Sequence, residues 1–131
     1  MVSENTIRSF QRAQELGVDA VELDLRQTEN GRIVVVHDPD IKKIYKGAPE
    51  LREALSTIKI PVCLEVKEAG FEKELLEAIK GFPFEILISS FKSLCWCARW
   101  LARLNSRRAS VRVSKCLPVA WWRLRARLTI S

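Results

Sequence analysis

The sequence predicts an α/β fold built from parallel βα units, and three observations carry that expectation. Short stretches of alternating or unbroken apolar character, near residues 20–25, 33–36, 62–66 and 84–88, alternate with stretches of helical periodicity. Gly17, Pro49, Pro61, Gly81 and Pro83 punctuate the joins. At 131 residues and 47% apolar content, the chain has the length of one domain and enough hydrophobic surface to bury a core. Strand and helix alternating in this way favour parallel strands joined by crossover helices.

Taken in order, Ser3 or Asn5 is positioned to cap a first helix that turns Ile7, Phe10 and Leu16 inward and stops at Gly17. In the strand that follows, Val21, Leu23 and Leu25 point one way and Glu22 and Asp24 the other, the mark of a half-buried strand. Asn30-Gly31 then separates it from the β-branched run of residues 33–36. Read as a two-residue turn with both positions at positive φ, Asn30-Gly31 sets Thr28 against Ile33, Leu25 against Val36 and Asp24 against His37. Two carboxylates and an imidazole on one face suit a divalent cation plus an acid or base, and equally an exposed polar hairpin face. Residues 40–47, with Lys42, Lys43 and Lys46, read as a loop. Pro49 opens a second helix, with Leu51, Ala54, Leu55 and Ile58 on one face. Residues 62–66 form a strand with Cys63 and Glu65 on the same side. Residues 72–80 form a helix presenting Leu75, Leu76 and Ile79, and residues 84–88 form another strand. Residues 92–104 keep a helical pattern through Leu94, Cys97, Ala98, Leu101 and Leu104, and no pattern is predicted beyond them.

The net charge of +6 averages two unlike halves. All 16 acids fall within residues 1–91, whereas residues 92–131 hold ten Lys and Arg, no acid and all four tryptophans. No run of apolar residues is long enough for a membrane helix, and the N-terminus has no secretory pattern. Cys63, Cys95, Cys97 and Cys116 do not form a disulfide framework, and reduced thiols in the cytoplasm are expected. Cys95 and Cys97 lack the further ligands a zinc site requires.

Glu22-Leu23-Asp24, Thr28 and Gly31 in a Thr-x-x-Gly turn, and Val34-Val35-x-His37-Asp38 together resemble the signature of the glycerophosphodiester phosphodiesterase family. Ser3-Glu4-Asn5-Thr6 resembles that family's Pro-Glu-Asn-Thr, and Leu64-Glu65-Val66-Lys67 resembles its Glu-x-Lys strand; the resemblance spans residues 3–91. It implies a TIM (β/α)8 barrel of the phospholipase-C-like phosphodiesterase type, of which this chain would supply about half, truncated at both ends, since such barrels run to roughly 250 residues. It further implies metal-dependent hydrolysis of glycerophosphodiesters to sn-glycerol 3-phosphate and an alcohol, a step of lipid metabolism. Glu22, Asp24 and Glu65 would hold Mg²⁺ or Ca²⁺, His37 would transfer protons, and Lys67 would contact the substrate phosphate. Glu4, Asn5 and Asp38 would play supporting parts, although helix capping accounts almost as well for Glu4 and Asn5.

One element of the family pattern is missing. Its initial His-Arg-Gly would lie upstream of Met1, leaving one acid/base histidine of two, and each such group is worth about 10²–10⁴-fold in rate. Low activity of the chain alone is therefore expected. The organisation expected is a partial phosphodiesterase domain over residues 1–91 and a basic, Trp-rich tail over 92–131, best explained as the product of a shifted reading frame. The rival readings are another phospholipase-type phosphodiesterase, or a non-catalytic protein whose tail binds nucleic acid or an anionic membrane.

Overall fold

The computed structural model describes residues 3–90 and, as backbone, 111–115. Its elements in order are α1 (Ile7–Glu15), β1 (Val21–Gln27), β2 (Ile33–Val35), α2 (Leu51–Thr57), β3 (Val62–Val66), α3 (Glu72–Ala78), β4 (Ile86–Ser90) and β5 (Val111–Lys115). They form one sheet in the order β2-β1-β3-β4-β5. All neighbours run parallel except the β1–β2 hairpin.

The parallel ladder runs Val21 opposite Val62, Leu23 opposite Leu64 and Leu25 opposite Val66, and Val62 and Leu64 continue to Ile86 and Ile88. These apolar residues share one side of the sheet because strand side chains alternate. On that side they are buried with Phe10, Leu51, Ala54, Leu55, Phe71 and Leu75 in a single core. The alternate positions, Glu22, Asp24, Cys63, Glu65, Leu87 and Ser89, turn to the other side. Hydrophobic burial on the helix side thus fixes the register, and the register fixes which polar residues meet across the sheet.

Several expectations shift in detail. The cap of α1 is Thr6: its Oγ1 accepts from the Ser9 amide at 3.1 Å, and Ser9 Oγ accepts from the Thr6 amide in return. Gly17 closes that helix at φ +73°, with its amide on Gln14 and that of Val18 on Ala13, the pattern in which only glycine is unstrained. The second helix begins at Leu51, because Pro49 and Glu50 pair with β2 instead: Val35 donates to the Pro49 carbonyl and Val34 bridges Glu50. The fourth strand starts two residues later than predicted, where Ile86 meets Val62. Finally, residues 111–115 form a strand parallel to β4, in a stretch for which no pattern is predicted. The alternation of Val111 and Val113 with Arg112 and Ser114 is its signal. The helix expected over 92–104 lies outside the described residues.

The largest correction concerns the hairpin. The observed pairs are Leu25 with Val35, Arg26 with Val34 and Gln27 with Ile33, one residue off the two-residue-turn register. The loop has three residues, Glu29, Asn30 and Gly31. The Gly31 amide donates to the Thr28 carbonyl at 2.9 Å and Thr28 donates to Arg32 at 2.8 Å. Gly31 sits at φ +81° while Asn30 is not at positive φ, so a type I turn is followed by a glycine bulge. Thr28 reinforces this choice, its Oγ1 accepting from the Arg32 amide at 3.0 Å. Asp24 accordingly pairs with Val36, whose amide donates to its carbonyl, and not with His37.

Candidate metal centre

Adjacent parallel strands lie about 4.8 Å apart, and the register sets Asp24 of β1 directly beside Glu65 of β3. Glu22 stands two residues before Asp24 on the same face. The result is a group of three carboxylates, each with an oxygen within 4.8 Å of the others. Lys67, two residues beyond Glu65, extends over the same face. Its Nζ lies 2.8 Å from Glu65 Oε1 and 3.1 Å from Asp24 Oδ1. Asn5 joins from the segment before α1. Its Nδ2 donates to Asp24 Oδ2 at 2.9 Å, and its Oδ1 accepts from the Asp24 amide at 3.4 Å. A φ of +53° at Asn5 lets the side chain reach the strand. Of the two explanations for Asn5, helix capping is therefore set aside, since Thr6 does that.

The electrostatics follow from this crowding. Burial pushes Glu22 up to about 7, helped by its hydrogen bond with Glu65 and the negative charges of Glu65 and Asp24, against the pull of Lys67. At Asp24 burial acts upward, but its hydrogen bonds with Asn5, Glu65 and Lys67 together hold the carboxyl below its ordinary range. Burial alone would lower Lys67, yet its bonds to Glu65 and Asp24 raise it, so the ammonium stays charged. One extra proton on Glu22 and one ammonium thus leave the three acids with a single net negative charge. Beside them, burial raises the Cys63 thiol to about 11, and its Sγ lies 3.8 Å from Ser89 Oγ. That thiol remains protonated at neutral pH and is a poor soft ligand.

Three of the residues singled out from sequence stand apart from the cluster. His37 follows β2 with its side chain 63% exposed, and its Nδ1 lies 2.9 Å from Oδ1 of the exposed Asp38. Glu4 is exposed as well. Sequence reasoning missed Arg26, whose Nε donates to the His37 carbonyl at 3.0 Å and whose guanidinium faces Glu68 at 3.8 Å. Glu68 in turn accepts from the Gln27 amide at 2.8 Å. The signal for Arg26 was present, because it continues the two-residue step from Glu22 and Asp24.

A parallel βα sheet carrying a cluster of hard oxygen donors at neighbouring strands defines an α/β protein with a candidate divalent-cation face. The chain matches the model of the glycerophosphoryl diester phosphodiesterase family over residues 1–104, further than the resemblance over 3–91 reaches, and it belongs to that family. It is 33% identical to a glycerophosphodiester phosphodiesterase of Caldanaerobacter subterraneus subsp. tengcongensis, over 69% of this chain and 53% of that protein. A Bacillus subtilis glycerophosphodiester phosphodiesterase is 39% identical over 35% of this chain and 16% of its own length. The chain thus spans about half the length of the Caldanaerobacter relative, and less of the other. In structure it resembles a glycerophosphodiester phosphodiesterase of Thermotoga maritima with a TM-score of 0.68 and 22% identity, covering 90% of this chain and 57% of that one. It also resembles an Oleispira antarctica phosphodiesterase in complex with the product sn-glycerol-3-phosphate, with a TM-score of 0.69 and 21% identity, covering 95% and 66%. The fold is therefore the α/β fold of these TIM-barrel phosphodiesterases in part. Among the described residues no helix is long and apolar enough to cross a membrane.

Proposed function

We propose that this chain carries the cation-binding strands of a glycerophosphodiester phosphodiesterase, a hydrolase releasing sn-glycerol 3-phosphate and an alcohol. The observation that carries the reading is the convergence of Glu22, Asp24 and Glu65 within 4.8 Å on adjacent strands. Three carboxylate oxygens are a fitting donor set for Mg²⁺ or Ca²⁺, which take oxygen ligands. Glu22, Asp24 and Glu65 would hold the ion, which when bound neutralises the phosphodiester and polarises its P–O bond.

The chain's own groups do the rest. Asn5 fixes Asp24 from outside the strand, so the carboxylate keeps its second oxygen for the ion. Lys67 balances the acids before the cation arrives and turns its ammonium toward the substrate phosphate afterwards. His37 moves the proton at Nε2, with Nδ1 held toward Asp38, the division of roles that a carboxylate imposes on an imidazole. Glu4 lies next to Asn5 in the chain and supports that segment. The expected setting is the cytoplasm, where Cys63 stays a reduced thiol.

The test is calorimetric titration of the chain with Mg²⁺ and with Ca²⁺, followed by release of sn-glycerol 3-phosphate from a glycerophosphodiester. One of the two ions is expected to bind, and Glu65→Gln is expected to weaken it by about tenfold or more. Product release that continues undiminished after chelation would sink the reading.

A further inference from the structure

The loop between β2 and α2 has an organisation that the carboxylate site does not explain. Among the described residues the most exposed large apolar side chain is Ile41, at 102%, and Ile44 three residues later is 59% exposed. A loop that strands two isoleucines in water is usually loose, but this one is tightly built. The Asp40 carboxylate accepts from the amides of Lys42 at 3.1 Å, Ile44 at 3.0 Å and Tyr45 at 3.3 Å, and the Asp40 carbonyl accepts from Lys43 at 2.9 Å. Lys43 and Tyr45 take positive φ, +49° and +48°, and the Tyr45 ring is buried as an anchor. Backbone strain at two non-glycine residues persists only where the surroundings enforce it. Here it holds Ile41 and Ile44 outward alongside the exposed Lys42 and Lys46.

The loop also has a definite place. The Lys43 carbonyl accepts from the Glu29 amide at 3.1 Å, and Lys43 Nζ lies 3.9 Å from Glu68 Oε1. Since β1 ends at Gln27 and β3 at Val66, the loop is fastened to the C-terminal ends of both parallel strands. Lys67 stands at that same end.

We infer that the loop of residues 40–47 docks this face of the protein onto an anionic phospholipid surface, with Ile41 and Ile44 entering the acyl boundary and Lys42 and Lys46 meeting headgroup phosphates. Aliphatic tips flanked by ammonium groups match both layers of such an interface. A nucleic acid would call for exposed aromatic or arginine side chains, and the loop presents neither. A second copy of the chain would need roughly 800 Å² per partner, far more than two side chains offer. The docking makes no use of the carboxylate cluster, so it stands or falls separately from cation binding and hydrolysis.

Co-sedimentation of the full chain with phosphatidylcholine vesicles, with and without phosphatidylglycerol, is the test. Binding is expected to require the anionic lipid and to weaken with salt. Ile41→Ser with Ile44→Ser lowers the partition coefficient by about tenfold, and each of Lys42→Gln and Lys46→Gln lowers it by about fivefold. Both pairs lie at the surface and leave the Asp40 bonds, which use backbone amides, in place. Failure of the wild-type chain to bind anionic vesicles would overturn the inference. So would wild-type binding by the double isoleucine variant, because another surface, such as the ten basic residues of 92–131, would then be responsible. Cation titration of the same variants reads the carboxylate site independently.

Discussion

The two neighbours of β1 make an instructive contrast. Toward β3 the strand is parallel, and its register is dictated by burial: Leu23 and Leu64, Leu25 and Val66 sit side by side in the core. A slip by one residue would turn every one of those side chains into the polar face. The carboxylates therefore meet as a consequence of packing on the opposite side of the sheet. Toward β2 the strand is antiparallel, and the register is dictated by a turn of three residues and one glycine. Ile33, Val34 and Val35 are all buried, so burial does not tell one face of β2 from the other, and a local choice moved His37 away from Asp24. A site placed by a core is sturdier than a position placed by a turn.

The largest effect is expected where the parallel side is broken. Leu64 is fully buried in the middle of β3. Leu64→Ala removes its methyl groups and leaves a cavity, at a cost of about 2–5 kcal/mol. Urea unfolding measures it, and cation affinity should fall with it because Glu65 is the next residue. A variant that loses stability yet keeps full affinity would show that the register is held by something other than this layer.

Next comes the charge balance on the polar face. Lys67→Met removes the ammonium from between Asp24 and Glu65, which are largely buried. Leaving two such carboxylates without their partner is expected to cost about 2 kcal/mol, discounted from the buried-pair value because all three groups keep some solvent. Mg²⁺ or Ca²⁺ should restore more stability to this variant than to the wild type. Equal stability of the two proteins without metal would show that Lys67 does not balance the acids.

The hairpin supplies a finer test. In a two-residue turn both Asn30 and Gly31 would need positive φ, whereas here only Gly31 has it. Gly31→Ala should therefore cost about 1–2 kcal/mol, and Asn30→Ala only a few tenths, roughly the scale of a neutral surface change. Comparable losses from both substitutions would restore the two-residue turn, and with it the pairing of Asp24 and His37.

The same contrast separates the features that are legible in the amino-acid sequence from those that are not. The two-residue period of Val21, Leu23 and Leu25 against Glu22 and Asp24 is a direct record of burial, so that strand and its polar face are legible, as are Val62–Val66 and the side on which Cys63 and Glu65 lie. The proximity of Asp24 to Glu65, 41 positions apart, is visible only through family resemblance, because pairing between distant strands leaves no local mark. The hairpin register misleads because Asn-Gly serves two turn types, and the choice rests on Thr28, a residue without special weight in the pattern. Pro49 looks like the start of a helix, but competition from the β2 edge, which takes its carbonyl, is a tertiary effect. Asn5 looks like a cap because its residue type caps helices; the family resemblance suggests a supporting part as well, and the positive φ and the bond to Asp24 give the contact it makes.

The smallest expected effect concerns Glu22, whose carboxyl is raised to about 7 by burial and by its acidic neighbours. A raised carboxyl keeps its proton in the folded chain after the unfolded chain, with an ordinary value near 4.5, has released it. The folded state then binds more protons than the unfolded state, so stability falls as pH rises across that window and levels off above about 7. Asp24 has the opposite sign: held below its ordinary value, it adds stability that is lost only as pH falls below that value. The two windows do not overlap, so the slope above pH 5 or so belongs to Glu22. Because Glu22 is only partly withdrawn from solvent, that slope is shallow, and added salt should flatten it further. Thermal unfolding at low ionic strength across the window measures it, and Glu22→Gln should remove it. A bound divalent cation, which favours the ionised carboxylate, should reverse its sign. A glutamine variant that keeps the wild-type slope would place the titration at another residue and weaken the case that Glu22 shares the cluster with Asp24 and Glu65.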